Sequence, residues 1–204
     1  MECRGEDLIT INMHVKEIIK CFFPEYFSWN EYPADQTVSF CKTDQEWGIF
    51  SNFFQTPIVT DGVTFPCTES LFQIMKFTDS AARRDIFKQR GQKLKMLAKH
   101  YEKTVGVRPD WGPLLVHALK YCLMLKYEQS PAFRAELERS RGHFIVEDQT
   151  SFRKPADTYG AKLTPDGKLW SGPNLMGRLL MELRDNGCLD YNLPDDIIQF
   201  KDLI

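Results

Sequence analysis

The most constraining stretch of the chain is Pro57-Ile58-Val59-Thr60-Asp61-Gly62-Val63-Thr64-Phe65, in which two β-branched and aromatic runs flank an Asp-Gly pair. Asp-Gly suits the two left-handed positions of a two-residue turn, so the spacing predicts a tight antiparallel hairpin. Directly after it the apolar period changes to that of a helix. Thr68 is the candidate N-cap, and Leu71, Ile74, Met75 and Thr78 mark one buried stripe. A chain that switches in this way must pack helices against a small sheet.

The remaining patterns agree. Ile11, Val15, Ile18, Ile19 and Phe22 fall at helical spacing over residues 10–23, ahead of Pro24. An aromatic connector follows over 26–32, and Val38 and Phe40 alternate with polar neighbours over 36–42 as in a half-buried strand. Helices are predicted over 81–89 after Ser80, over 92–101, over 114–127 after Pro113, and from Ser130-Pro131. Residues 143–147 read as a short strand and 157–172 as the longest irregular loop. Gly172-Pro173 opens a last helix with Leu175, Met176, Leu179, Leu180 and Leu183 on one face and Gly187 as its stop. The expected architecture is a single domain, mainly α with a small antiparallel β-sheet, which 204 residues are enough to build.

Composition narrows the function classes. Hydrophobic residues at 43% and charged residues at 26% are those of a globular protein. A net charge of −2 lacks the footprint of a protein that grips long duplex by its phosphates, so any nucleic-acid contact is local. Cys3, Cys21, Cys41, Cys67, Cys122 and Cys188 are far apart, with no CxxC pair and no zinc-ligand histidine spacing, which points to reduced thiols and no metal. No apolar run has signal-peptide or membrane-span length, and a cytoplasmic location is the resulting expectation.

Glu69, Gln73 and Lys76 stand at i, i+4 and i+7 after the hairpin, on one narrow polar helix face. Such a face is either solvated, with an ordinary salt bridge, or turned into a cleft. In a cleft Glu69 can act as acid, base or stabiliser of an oxocarbenium ion, and Lys76 as electrostatic partner or amine nucleophile. Phe50-Ser51-Asn52-Phe53, Asp110-Trp111, and Asp157-Thr158-Tyr159-Gly160 with Trp170 are weaker clusters. An aromatic share of 13% supplies both core and stacking surface.

In combination these strings are specific. Phe50-Ser51-Asn52-Phe53, Pro57-Ile58, Asp61-Gly62, and Pro66-x-Thr68-Glu69-x-x-Phe72-Gln73-x-x-Lys76-Phe77 resemble the NADAR family, also called the YbiA-like N-glycosidases. Asp110-Trp111, Leu125-Lys126-Tyr127 and Gly172-x-Asn174-x-x-Gly177-Arg178-Leu179-Leu180-Met181-Glu182-Leu183-Arg184 extend the resemblance from about Phe40 to Arg184. Where the family carries an Asp followed by Trp-Gly, this chain has Asp157-Thr158-Tyr159-Gly160, with the aromatic changed and the Asp one position closer. The resemblance implies a YbiA-like catalytic domain over 36–187; an N-terminal extension (1–35), whose helical spacing has it packed on that body, and a C-terminal tail (188–204) lie outside it.

What it implies chemically is hydrolysis of an N-glycosidic bond to ribose C1 without a cofactor. One substrate setting is ADP-ribose on the amino group of guanine in nucleic acid, with a DNA ADP-ribosyltransferase toxin as genetic partner. The other is the phosphoribosyl-amino-pyrimidine intermediates of riboflavin synthesis. Glu69 and Lys76 are the implied catalytic pair, while Ser51, Asn52 and Gln73 orient hydroxyls or the base edge. Trp111, Tyr159 and Trp170 stack a base, and Gly172 ahead of Asn174 aims helix-start N–H groups at a phosphate. Phe50, Phe53, Gly160 and Gly177 complete the substrate-binding set. A binding module that recognises ADP-ribose or NAD without cleaving it uses the same aromatics and helix start, and a structural partner protein needs none of them.

Overall fold

The computed structural model describes residues 13–156 and 158–204. α1 (Val15–Phe22) buries Ile18 and Ile19 and packs on α5 (Trp111–Gln129), ending before Pro24, which has no N–H to continue the ladder. Residues 10–12 of the expected helix lie outside the described residues. Part of the expected connector is strand β1 (Asn30–Pro33), and β2 (Thr37–Phe40) follows. β3 (Ile58–Thr60) and β4 (Val63–Phe65) form the hairpin, with Asp61 and Gly62 at φ of 48° and 75° as the turn requires.

Two helix starts differ from expectation by one residue. α2 (Thr68–Met75) is capped by Cys67, which is extended at φ −163° and ψ 163°, while Thr68 is already helical. α3 (Ser80–Phe87) is capped by Asp79, whose Oδ1 accepts from the Ala82 N–H at 2.7 Å. In both cases the residue one position earlier adopts the extended conformation that a cap needs. α4 (Gly91–Thr104) and α5 come next, and α6 (Pro131–Arg139) is capped by Ser130 as its Ser-Pro start predicts.

Residues 157–172, expected to be a loop, contain β6 (Lys162–Leu163) and β7 (Leu169–Gly172). The antiparallel sheet has the order β1-β7-β6. Strands of two and four residues are too short to show a period. β2 pairs in parallel with β5 (Phe144–Glu147), with Val38 opposite Ile145 and Phe40 opposite Glu147. α7 (Leu175–Asn186) lies on β5 and stops at left-handed Gly187.

The architecture is mainly helical with small antiparallel sheets, as expected; the β2–β5 pair adds a parallel element that patterning does not disclose. α5 is central because it is apolar nearly all round, and α1, α2, α6 and α7 pack on it. A smaller cluster of Tyr32, Val146, Ala161 and Trp170 holds the sheet to β5. The C-terminal segment folds back, and fully buried Phe200 meets Phe65 edge-on at 5.0 Å. Its N–H donates to Asp61 Oδ2 at 2.7 Å, which ties the segment to the hairpin turn. Cys41, Cys67, Cys122 and Cys188 are free, as expected, but Cys21 is disulfide-bonded, which corrects the reduced-thiol expectation at that position. Among the described residues no helix is long and apolar enough to cross a membrane.

Candidate active site

The polar face of α2 is not solvated. Every residue of the helix is buried, including Glu69 at 6% and Gln73 at 4% exposure. A carboxylate enclosed to that degree needs compensation, and two sources are visible. Gln73 Nε2 donates to Glu69 Oε1 at 2.9 Å, one turn on. Glu69 also sits in the first turn, where the helix dipole favours an anion. Its N–H donates to the Asn52 carbonyl at 2.9 Å, which seats that turn. Behind it lie Cys67 and Cys122, whose thiols are pushed up by burial and, secondarily, by the Glu69 charge. Gln73 Oε1 and Ser70 Oγ are buried without a hydrogen-bond partner, so the site carries unspent polar capacity.

Asn52 joins the elements. Its carbonyl and Oδ1 both accept from Thr68 Oγ1, at 3.1 and 3.0 Å, and its Nδ2 lies 3.9 Å from Met176 Sδ on α7. Met176 N–H in turn donates to the Tyr159 carbonyl at 3.0 Å. Contacts therefore connect Glu69, Gln73, Asn52 and the half-buried Tyr159. Asp157 lies outside the described residues. Ser51 Oγ accepts from Phe53 N–H at 3.2 Å and shapes the loop, while Phe53 offers its ring to Lys95 Nζ at 5.7 Å. Phe50 is fully buried between Trp47, Phe40 and Phe133, so it holds the loop down from the core side.

Lys76 caps the C-terminal end of α2, and seven residues of helix put about 10 Å of rise between its Cα and that of Glu69. Its ammonium pairs with Glu102 of α4 at 2.8 Å and lies 5.3 Å from the Phe72 ring centre. Phe72 tilts against Trp111 at 5.4 Å, and both rings are buried at 4% exposure. Glu102 and Lys95 are missing from the sequence-derived set, because nothing in their spacing shows that α4 packs on α2.

A second group of expected site residues is tightly packed between β5 and α7. Asn174 is fully buried and left-handed, with Nδ2 donating to the Ile145 carbonyl at 2.8 Å and Oδ1 accepting from the Glu147 N–H at 3.1 Å. A Cβ on Gly177 would stand 2.0 Å from the Ile145 carbonyl oxygen, and one on Gly160 2.3 Å from that of Glu147. A Cβ on Gly172 would stand 2.8 Å from Ala161 Cα. Trp170 belongs to the small cluster under the sheet. At the start of the last helix the N–H groups of Asn174, Leu175 and Met176 donate to the carbonyls of Gly160, Thr158 and Tyr159.

Chemically, the arrangement offers an enclosed carboxylate with one oxygen fixed, a polar loop clamped to the helix start that carries it, and an amine at the far end of the same helix paired with Glu102. Among the described residues no group of three or more His, Cys, Asp or Glu is placed to hold a metal ion.

Comparison with known proteins matches the NADAR domain model to residues 39–186. N-glycosidase YbiA of Escherichia coli (strain K12) is 32% identical over 153 residues, covering 74% of this chain and 88% of the relative. A riboflavin biosynthesis protein of Vibrio vulnificus (strain YJ016) is 22% identical over 169 residues, covering 82% of this chain and 42% of that protein. The solved NMR structure of E. coli YbiA superposes with a TM-score of 0.57 at 30% identity, over 74% of this chain and 84% of that one.

Proposed function

The chain belongs to the NADAR family, and from that membership we propose that it hydrolyses the bond between ribose C1 and an exocyclic amine of a nucleobase, with Glu69 as the carboxylate that meets the developing charge. The observation that carries this reading is the enclosure of Glu69, buried in the first turn of α2 with Gln73 fixing one oxygen. As the C1–N bond breaks, its electron pair goes to the nitrogen, which takes up a proton, and positive charge spreads over C1 and the ring oxygen. A carboxylate already in place and shielded from bulk water stabilises that charge without reorganising. Water then supplies the hydroxyl at C1 and releases its proton. Asn52 and Tyr159 are the groups suited to orient the sugar or base, and Lys76, whose ammonium is paired with Glu102, is the electrostatic partner or nucleophile.

The substrate we propose is ADP-ribosylated guanine in nucleic acid. A chain of net charge −2 is not built to grip duplex, but it can take one modified base through the ADP-ribose handle. The riboflavin setting is the second reading, favoured by the name of the V. vulnificus relative. Incubation with ADP-ribosylated guanosine and, separately, with a phosphoribosyl-amino-pyrimidine decides between them. Release of free ADP-ribose supports the first, release of ribose 5-phosphate supports the second, and turnover of neither overturns the N-glycosidase reading.

A further inference from the structure

Lys126, on the last turns of α5, is fully buried in the core. Enclosing an amine there is costly, since burial alone drives its pKa down to about 7 and Cys67 offers only a weak opposing charge. A methionine would fill similar volume without that cost. What the amine adds is two hydrogen bonds: Nζ donates to the Ile49 carbonyl at 2.6 Å and to the Ser51 carbonyl at 3.0 Å, over the face of Phe133 at 4.7 Å. These carbonyls flank Phe50 in a loop with no strand ladder, and the Ser51 carbonyl also accepts from the Phe54 N–H at 3.1 Å. One residue further on, the Asn52 carbonyl receives the Glu69 N–H and the Thr68 hydroxyl. The loop is thus pinned from below by α5 and clamped from above to the helix start that carries Glu69.

We propose that Lys126 is a positioning residue for this site: by holding the Ile49 and Ser51 carbonyls it fixes the Asn52 clamp, and through that clamp the orientation of Glu69. The kinetic part rests on the N-glycosidase reading; the structural part does not. Without the amine the Ile49 carbonyl loses its donor and the Ser51 carbonyl keeps that of Phe54 N–H, and the loop shifts toward conformations in which Asn52 no longer meets the α2 start.

The test compares wild type, Lys126→Met and Lys126→Ala, the last with and without propylamine, and reads kcat and KM together with amide hydrogen exchange at Phe53 and Glu69. For Lys126→Met the expectation is a kcat lower by roughly tenfold with KM nearly unchanged, and exchange at Glu69 faster by about tenfold while α5 amides keep their protection. Propylamine restores part of both losses in Lys126→Ala, whereas propanol does not. Wild-type kcat and Glu69 protection in Lys126→Met overturn the proposal, as does failure of propylamine to restore anything in Lys126→Ala. The Lys126→Ala arm decides if Lys126→Met does not fold. If wild type cleaves neither N-glycoside, the functional reading fails, while the exchange measurements still decide the role of Lys126.

Discussion

The Glu69 N–H donates to the Asn52 carbonyl at 2.9 Å, so the first turn of α2 and the loop ahead of the hairpin are set as one unit. The backbone that carries the carboxylate is thereby tied to the loop, and the loop cannot move without breaking the contacts of Asn52 to Thr68 and Met176.

Glu69→Gln is expected to lower turnover by a factor on the order of 10²–10³ while leaving the thermal midpoint close to wild type. The amide oxygen can still accept the Gln73 bond, so shape is retained and charge is lost. Steady-state kinetics beside a melting curve checks this, and near-wild-type turnover removes Glu69 from the reaction.

A covalent role for Lys76 makes two demands. Borohydride added during turnover traps a sugar adduct on Lys76, seen as a mass shift in the peptide containing Phe77, and Lys76→Arg is inactive although it can still pair with Glu102. Substantial activity in Lys76→Arg with no adduct assigns the amine an electrostatic role and leaves the direct oxocarbenium route.

The buried amine of Lys126 makes stability depend on pH with a definite sign. Its folded pKa is about 7, below the ordinary value of about 10.4, so the unfolded chain holds more protons between the two. The cost of charge burial is present in full below about pH 7 and is relieved as the pH rises toward 10. Urea unfolding of wild type and Lys126→Met at pH 6.5, 8 and 9 isolates the effect, since other groups cancel in the difference. Wild type should gain on the variant by up to about 1.4 kcal/mol per pH unit in that window; a difference that stays flat refutes it.

Gly177→Ala separates scaffold from binding site. The added Cβ would press on the Ile145 carbonyl oxygen and the Asn174 amide, so overpacking of about 1–3 kcal/mol is expected, roughly 3–10 °C in Tm. KM of the folded fraction should not change. A raised KM at unchanged Tm would instead place Gly177 against substrate.

The hairpin was legible because Asp61-Gly62 admits few turns, and the Glu69–Gln73 face because helical spacing alone makes them neighbours. Glu102 and Lys95 were not legible, since their meeting with Lys76 and Phe53 depends on how α4 lies against α2. Lys126 stands in the Leu125-Lys126-Tyr127 string, but sequence does not show that its amine is enclosed beneath Ser51. The close packing of Asn174 and Gly177 on β5 was not legible either, since a tight helix-on-strand approach and a binding loop demand the same small or amide residues.

The parallel pairing of β2 with β5 also constrains how the chain is made. Phe40 leaves the ribosome about a hundred residues before Glu147, its register partner, a delay on the order of ten seconds at roughly 5–20 residues per second. The hairpin and α2 to α6 are synthesised during that interval, while the edge of β2 has no strand to join. Closing so long a loop is a slow, late event. A nascent chain stalled before β5 therefore exposes an open strand edge, where chaperone capture and misassembly compete with completion of the fold.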